Sequence, residues 1–272
     1  MTAVDEHTRP GRGSASGIQV IARAAEVLRL LQAAPSGLTQ AEVVERIGLA
    51  KSTVHRILGA LEAEGLVTVA GTRGRYRLGP EIPRMAASVR SAMIVDLRPY
   101  LEDLSRRLDE TVDLSLLEDH HVVFVDQVIA DRRLRAVSAV GAGFPLHCCA
   151  PGKALLAALP AAALEHAVPN RLTAETPHTL TARPELHREL NEIRRTGVAF
   201  DREEHTLGIS AAGVAIRTAA WGTAAISVPT PTQRFAGREQ AITDALLQAK
   251  ERIETDFGAM KPTPTPTPTP TP

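Results

Sequence analysis

Residues 38–66 read LTQAEVVERIGLAKSTVHRILGALEAEGL, and this stretch decides the fold of the N-terminal part of the chain. Thr39 and Glu42 stand three positions apart, which is the spacing of a capping box, where each side chain pairs with a free backbone N–H at a helix start. An apolar face follows, and Gly48 occupies the place where helices commonly end in a left-handed residue. The stretch therefore predicts a short helix between Thr39 and Gly48.

A second helix is predicted to begin almost at once, at Lys51, and to end at Gly65. Its apolar residues recur at intervals of three and four, which places them on one buried stripe. They are Val54, Ile57, Leu58 and Leu61. The opposite face carries side chains that can reach phosphates and base edges from a helix in a DNA major groove. With the start of the preceding helix, they give the candidate DNA contacts Thr39, Gln40, Lys51, Ser52, Thr53, His55 and Arg56.

Amphipathic helix pairs of this kind also occur in all-helical domains, where a polar outer face is only a solvated surface. The residues that follow favour DNA binding. Residues 66–69 are β-prone, residues 71–74 are turn-like, and residues 75–78 alternate with a period of two, so together they predict a β-hairpin wing. Three arginines at its tip and along its second strand can neutralise phosphates. They are Arg73, Arg75 and Arg77.

The composition predicts two domains without a disulfide framework or a membrane span. A chain of 272 residues is long enough for two domains with cores of their own. Basic and acidic residues balance at 31 each, but the first 80 residues hold ten basic against seven acidic ones, a modest positive excess around the predicted wing. Cys148 and Cys149 are adjacent, and a bridge between neighbours is strained and rare. No run of about 18 apolar residues occurs, so we expect a cytoplasmic protein that binds no membrane.

The rest of the chain divides into segments of different composition. The first residues lack periodicity, although Arg9 and Arg12 could contact DNA. A linker helix carries an apolar face, which favours a dimer contact over a solvated connector. At the C-terminus Pro and Thr alternate without any core-forming residue. The predicted segments are a disordered arm at 1–16, the winged domain at 17–80, the linker helix at 81–95, a second domain at 96–258 and a disordered tail at 259–272.

The second domain is predicted to contain a mainly antiparallel sheet. It opens with a helix that has Pro99 in its first turn, where a missing N–H is tolerated. Alternation with a period of two then predicts strands, and intervals of three and four predict helices. The predicted strands are 112–116, 122–129, 134–140, 198–201, 209–216 and 223–228. The predicted helices are 151–159, 186–197 and 237–257.

A predicted loop at residues 141–145 leads to a helix that opens at Pro151. The free N–H groups of a helix start, after a loop of small residues, can bind an anion. The same pattern also describes an ordinary junction between a loop and a helix, and the sequence leaves both interpretations open.

His147, Cys148 and Asp201 could also be drawn as a thiol-dependent catalytic constellation. Neighbours on a strand point to opposite faces, so His147 would reach the thiol of Cys148 only through a sharp turn. A buried cysteine also commonly packs as a small apolar residue. A metal-dependent enzyme or sensor built from His147, Cys148 and His205 lacks the closely spaced ligand pairs that zinc sites show. The sequence therefore favours a protein that is not an enzyme and holds no metal or cofactor.

Five motifs stand in a fixed order between residues 18 and 257. They are QVIARA at 19–24, GLAKSTVHR at 48–56, YRLG at 76–79, LHCCAPGKALLA at 146–157 and GVAFDREE at 197–204. In this order they resemble the isocitrate lyase regulator (IclR) family of bacterial transcription factors.

The resemblance implies an α+β fold with an N-terminal winged helix-turn-helix domain, a linker helix and a C-terminal α/β effector-binding domain similar to the GAF fold. It implies a transcriptional regulator, in many members a repressor, that binds double-stranded operator DNA as a homodimer or as a dimer of dimers. A small-molecule effector controls this binding in such proteins. The effector is often a carboxylate or an aromatic catabolite, and it sits against the sheet.

Matched position by position, the resemblance implies effector contacts from the start of a helix, a loop and two strands. These positions are Ala150, Pro151, Asp201, Ala211 and Ser227, to which we add His147 and Cys148 just before the helix. Some carboxylate-binding members have a Cys and a second Ser where this sequence has Ala211 and Pro229. The loss of two polar groups predicts a less polar effector.

Overall fold

The computed structural model describes residues 13–70 and 74–259, without the side chains of residues 13–18. The chain forms two compact units that meet between Val89 and Arg90. The division falls inside the predicted linker helix at 81–95. Most of the predicted arm, with Arg9 and Arg12, lies outside the described residues, and so do Arg73 and all of the predicted tail except residue 259. Residues 13–16 of the predicted arm belong to the first helix.

The first unit is a three-helix domain with a wing, as the sequence predicts. Its elements are α1 (Gly13–Gln32), α2 (Gln40–Ile47), α3 (Lys51–Ala63), β1 (Val67–Ala70) and β2 (Arg75–Leu78). The two strands pair antiparallel. One apolar cluster joins the three helices and β1, and its fully or almost fully buried members include Val27, Val43, Val54 and Leu58. The winged helix-turn-helix is therefore confirmed.

The capping box at the start of α2 is also confirmed. The backbone N–H of Thr39 donates to Oε2 of Glu42 at 2.7 Å, and the N–H of Glu42 donates to Oγ1 of Thr39 at 3.3 Å. The bond from the Thr39 backbone, followed by one that the Thr39 hydroxyl donates to the same carboxylate oxygen, lowers the pKa of the Glu42 carboxyl. Gly48 closes the helix with a φ of 70°, where a residue with a Cβ would be strained.

Helix α4 (Glu81–Leu108) corrects the prediction of two successive helices. Pro99 lies in its interior and not in a first turn, although a proline there removes one backbone hydrogen bond. The helix continues because its buried stripe runs past the proline at intervals of three and four. The stripe consists of Met93, Leu97, Leu101, Leu104 and Leu108. Packing of this stripe against the core outweighs the lost bond.

The second unit contains a six-stranded antiparallel sheet, which confirms the predicted fold class. Its spatial order is β5-β4-β3-β8-β7-β6. The strands are β3 (Val112–Glu118), β4 (His121–Val128), β5 (Gly143–Pro145), β6 (Ala199–Arg202), β7 (Ile209–Thr218) and β8 (Gly222–Pro231). The helices besides α4 are α5 (Ala150–Ala158), α6 (Ala161–Ala167), α7 (Arg183–Thr196), α8 (Thr232–Phe235) and α9 (Glu239–Asp256).

Helices cover both faces of this sheet. The residues of α4 that belong to this unit and α9 pack on one face, where Ala224, Ile226 and Val228 of β8 are buried. Helices α5, α6 and α7 pack on the other face, where Ala225 of the same strand is buried. Because successive side chains on a strand alternate between faces, β8 contributes to both cores. We call the second face, with α5 on it, the α5 face.

Residues 134–140 do not form the strand that the sequence predicts. Leu134, Val137 and Val140 are exposed, while the small side chains of Ala136 and Ser138 are buried. The large apolar side chains on which the prediction depended therefore face solvent. The edge of β4 is paired instead by β5, in the segment that the sequence predicted as a loop.

Within the described residues, none of the helices is both long enough and apolar enough to cross a bilayer.

Candidate functional site

The polar face of α3 is presented to solvent as the sequence predicts. Val54, Ile57, Leu58 and Leu61 are buried, and the five candidate side chains Lys51, Ser52, Thr53, His55 and Arg56 are exposed. Within residues 13–70 and 74–259, no intramolecular hydrogen bond or ion pair holds any of these five side chains. Their donors are therefore available to a partner.

The side chains of Thr39 and Gln40, two further candidate DNA contacts, already make hydrogen bonds within the motif. Both functions of the Thr39 hydroxyl are used locally, because it accepts from the N–H of Glu42 and donates to Oε2 of the same residue at 2.9 Å. Gln40 lies one residue further and donates through Nε2 to the backbone oxygen of Lys51 at 3.3 Å. It joins the start of α2 to the start of α3.

The wing arginines have an internal role that the sequence did not reveal. Arg75 donates through Nε to the carbonyl of Gly37 at 3.0 Å and through Nη2 to Glu42 at 3.3 Å. Arg77 donates through Nη2 to the carbonyl of Ser36 at 3.3 Å. Both side chains therefore fix β2 to the turn before α2. The predicted phosphate contact of Arg75 stays a prediction, and Arg73 lies in the gap between the described ranges.

In the second unit, the sheet brings the predicted effector residues together on the α5 face. Asp201 of β6 lies opposite Ala211 of β7, which in turn lies opposite Pro229 of β8. One row further along, Gly213 of β7 lies opposite Ser227 of β8. Directly opposed residues in an antiparallel pair share a face, with Cβ atoms about 4.5–5.5 Å apart.

The start of α5 approaches this sheet closely because glycines allow it. A Cβ on Gly213 would lie 3.2 Å from the carbonyl carbon of Ala150 and from the nitrogen of Pro151. A Cβ on Gly152 would lie 2.4 Å from the carbonyl oxygen of Leu146, closer than packed atoms allow. Gly213 therefore lets Ala150 and Pro151 lie directly against β7, and Gly152 lets the start of α5 fold closely onto the turn before it.

His147, Cys148 and Asp201 are all buried, but they do not form a reactive thiol site. His147 places Nε2 2.9 Å from the carbonyl oxygen of Thr173. Burial, followed by the charge of Asp201, raises the pKa of the Cys148 thiol to about 12, and burial also raises that of Cys149. Nucleophilic cysteines need the opposite shift. Among the residues that the structure describes, no group of three His, Cys, Asp or Glu side chains could hold a metal ion.

Asp201 is buried at the end of β6 and fixes the loop that follows it. Its Oδ1 accepts the N–H of Glu204 at 2.7 Å. Burial raises the pKa of its carboxyl to about 7, although hydrogen bonds from the backbone of Glu204 and His205 and the charge of Lys153 oppose the shift.

Glu204 of this loop belongs to a buried ion triad with Lys153 and Glu189, which the sequence did not predict. Lys153 of α5 is fully buried, and its Nζ lies 2.6 and 2.7 Å from the two carboxylate oxygens of Glu204 and 2.5 Å from Oε1 of Glu189. Burial by itself would lower the pKa of Lys153. The two carboxylates have the larger combined effect and raise this pKa above its ordinary value, so the lysine is charged. The triad joins α5 and α7 to the loop after β6.

Asp113 of β3 is a second buried carboxyl on the α5 face and was also not predicted. It lies opposite Gln127 of β4 on one side and Ser227 of β8 on the other. Nε2 of Gln127 donates to its Oδ1 at 2.5 Å, whereas its Oδ2 has no hydrogen-bond partner among the described residues. Burial raises the pKa of this carboxyl to about 7, against the hydrogen bond from Gln127 and the smaller effect of the nearby Ser138 side chain, which makes no hydrogen bond to Oδ2.

Aromatic rings border Asp113 on the same face. Phe124 lies opposite Ser115, two residues along β3 from Asp113, so both side chains share the face of Asp113. The Phe124 and Phe144 rings meet edge to face at 4.9 Å. His205, in the loop after β6, stacks on Phe144 at 3.7 Å, and burial lowers its pKa. An aromatic cluster therefore lies on the α5 face, one row along from Asp113.

The raised pKa of Asp113 predicts how stability changes with pH. The folded state keeps a proton that the unfolded chain releases, so this contribution is complete below the ordinary pKa of 3.8 and is lost as the pH rises to about 7. The asparagine side chain in Asp113→Asn cannot ionise, so this variant does not lose stability as the pH rises. Its free energy of unfolding relative to that of the unmodified chain should therefore increase between pH 4 and pH 8, by up to about 4 kcal/mol. Urea unfolding at several pH values measures the difference, and an equal difference at pH 5 and pH 8 would contradict the prediction.

Two family models match the chain in succession. The model described as the IclR helix-turn-helix domain matches residues 20–71, and the model described as the bacterial transcriptional regulator IclR C-terminal matches residues 85–255. The second covers more than half of the chain and contains both buried carboxyls of the α5 face. The first contains α2 and α3.

The chain is also similar to two proteins named as transcriptional regulators and to a solved structure. It is 55% identical to the HTH-type transcriptional regulator Rv1719 of Mycobacterium tuberculosis over 94% of this chain and 97% of that protein. It is 38% identical to the HTH-type transcriptional regulator TtgV of Pseudomonas putida over 90% and 94%. A crystal structure of an IclR homologue from Microbacterium hydrocarbonoxydans in complex with 4-hydroxybenzoate has 26% identity and a TM-score of 0.54, covering 88% of this chain and 98% of that one.

Proposed function

The chain belongs to the IclR family of bacterial transcriptional regulators, and from this premise we propose that α3 binds an operator sequence under the control of a small organic effector on the α5 face. The relatives are regulators and not enzymes, and the protonated thiols of Cys148 and Cys149 agree with this. The function follows from one observation above all, the exposed face of α3 with five polar side chains that nothing in the described protein engages.

This face has the chemistry that operator recognition needs. Lys51 and Arg56 can neutralise phosphates or donate two hydrogen bonds to a guanine edge. Ser52, Thr53 and His55 add short donors and acceptors at the N-terminal end of the helix, which is the end that contacts bases in helix-turn-helix proteins. Gln40, at the start of α2, would contact the backbone of the same DNA.

The effector is proposed to bind where α5 meets the sheet. Ala150 and Pro151 would contact it from the start of α5, Ala211 and Ser227 from strands β7 and β8, and Asp201 from the end of β6. His147 and Cys148 line the turn that precedes α5. Because Ala211 and Pro229 offer no side-chain hydrogen bonds, we propose an aromatic effector in preference to a small carboxylate.

We further propose that the protein acts as a dimer, or a pair of dimers, on operator DNA in the cytoplasm. Met85 and Val89 of α4 are 51% and 50% exposed, and Val95 is exposed on the same helix. A second copy would cover these apolar side chains. A dimer presents two α3 helices, and half-sites about 10–10.5 base pairs apart fit such a pair. Effector binding would favour one arrangement of the dimer and so change operator affinity.

Arg56→Ala tests the operator-binding face. If Arg56 reads a base, its loss should weaken binding by about 1–3 kcal/mol, or roughly 5- to 150-fold in Kd. The DNA is selected from a random-sequence pool by the unmodified full-length protein, and binding is measured by fluorescence anisotropy at one fixed salt concentration.

Arg195→Ala provides the matched control, because Arg195 is an exposed arginine of α7 whose ion pair with Glu192 is at the surface. It should leave operator affinity unchanged. Equal affinities of Arg56→Ala and the control would remove Arg56 from the interface.

A further inference from the structure

The carboxyl of Asp113 is one strand away from a proposed effector contact. Asp113 and Ser227 are directly opposed on β3 and β8. Their Cβ atoms are therefore about 4.5–5.5 Å apart, with both side chains on the α5 face. A ligand that reaches the Ser227 hydroxyl lies within reach of Asp113.

One oxygen of this carboxyl is left without a partner. Asp113 is 1% exposed, and Gln127 satisfies only Oδ1. Oδ2 is among the few buried side-chain atoms in the described residues that lack a hydrogen bond. Native proteins rarely leave a buried acceptor unpaired, and each such atom calls for an explanation. A ligand that donates a hydrogen bond would provide one.

The surroundings favour a ligand that is aromatic and uncharged. Phe124 lies one row along from Asp113 on this face, and its contact with Phe144, which in turn stacks on His205, extends an aromatic cluster from there. Lys153 is the only buried lysine or arginine in the parts of the chain that the structure describes, and Glu204 and Glu189 already neutralise it. An anionic ligand would meet the carboxyls of Asp113 and Asp201 without a free buried cation to compensate it.

We propose that Asp113 is an effector-binding residue whose Oδ2 accepts a hydrogen bond from the hydroxyl group of a neutral aromatic ligand. The inference rests on the proposed function, because it assumes that the α5 face is the effector site. The proposal adds Asp113 to the effector contacts that the family resemblance implies. It also narrows the proposed effectors from aromatic compounds in general to uncharged aromatic compounds with a hydroxyl group.

Four compounds with one ring test the donor and the charge separately. They are 4-hydroxybenzoate, 4-methoxybenzoate, methyl 4-hydroxybenzoate and methyl 4-methoxybenzoate, the first being the ligand of the Microbacterium homologue. Each is titrated into the full-length protein by calorimetry. Methyl 4-hydroxybenzoate, which is neutral and has a hydroxyl, should bind most tightly. Its methyl ether should bind at least about tenfold more weakly, because it cannot donate a hydrogen bond to Oδ2 and leaves this buried acceptor unpaired.

Asp113→Asn should change the selectivity as well as the affinity. An asparagine can donate to an ether oxygen, so the preference for hydroxyl over methoxy should fall to less than about threefold. Asp126→Asn is the matched control. Asp126 is a buried aspartate of the neighbouring strand whose Oδ2 also lacks a partner, but it pairs with Arg98 of α4 on the opposite face. It should keep the preference of the unmodified protein.

Three outcomes would overturn the proposal. They are equal binding of the hydroxyl and methoxy esters, an unchanged preference in Asp113→Asn, and no binding of any of the four compounds. None of them would affect the operator-binding function, which the Arg56→Ala measurement tests independently. If the unmodified protein bound no operator DNA but still preferred the hydroxyl ester, the regulatory function would be refuted and the ligand site would stand.

Discussion

Replacing Lys153 by methionine is expected to lower the free energy of unfolding by about 3–5 kcal/mol. Methionine fills a similar volume, so the effect comes from charge and not from a cavity. Glu204, whose side chain is only 10% exposed, would be left with a buried carboxylate and no cation. Glu189 is more exposed and can turn to solvent. Removing one partner of a buried ion pair is therefore much more harmful here than removing a surface pair.

The single tryptophan, Trp221, lies in the second unit and reports its unfolding in urea by fluorescence. Arg195→Met, which breaks the surface pair with Glu192, should cost less than about 1 kcal/mol. The double variant Lys153→Met/Glu204→Gln should recover part of the loss, since it removes the uncompensated charge. A loss below about 1 kcal/mol for Lys153→Met would show that the triad is not buried in solution.

Local signals explain why the first unit could be predicted from the sequence. The capping box of Thr39 and Glu42, the left-handed Gly48 and the four-residue apolar stripe of α3 each act over fewer than ten residues. The stability of each feature depends on residues that are close in the chain, so the order of the residues is enough to predict it. The internal contacts of Arg75 and Arg77 depend on the turn before α2, almost 40 residues earlier, and the sequence pattern does not show them.

Elements whose state depends on distant packing were predicted less well. Pro99 indicates a helix start by local rules, but the stripe that packs on the sheet carries α4 past it. Residues 134–140 alternate like a strand, yet β5 occupies the edge of β4 that they would need. In both places a tertiary contact outweighs a local preference.

The effector face shows the same limit at the level of single residues. Asp201, Ala211 and Ser227 were found through the family resemblance, and the register of β6, β7 and β8 places them on one face. The alternation of the predicted strand 112–116 puts Asp113 on the face opposite Val112 and Leu114. Only the sheet, covered on both faces, shows that it is buried, because alternation indicates two faces but not whether each is exposed.

Glu110→Ala is expected to destabilise the second unit by about 2–4 kcal/mol. Glu110 follows α4 and is fully buried. Arg234 donates to both of its oxygens at 2.8 Å, and Arg238 adds a bond at 3.1 Å. Arg238 also donates to the carbonyl of Leu108, so the network fixes the C-terminal end of α4 to the segment around α8. The expected loss is smaller than for Lys153→Met because both arginines are partly exposed and water can solvate them again.

Trp221 fluorescence in urea measures this loss, and Glu192→Ala is its control, since Glu192 pairs with an arginine at the surface. Glu110→Gln should lie between the two, because an amide oxygen can accept from Arg234 but carries no charge to attract the second arginine. The difference between Glu110→Gln and Glu110→Ala measures what hydrogen bonding contributes at the end of α4, and the remaining loss in Glu110→Gln measures what the charge contributes. If Glu110→Ala were no less stable than Glu192→Ala, the network would not fix this end of the helix.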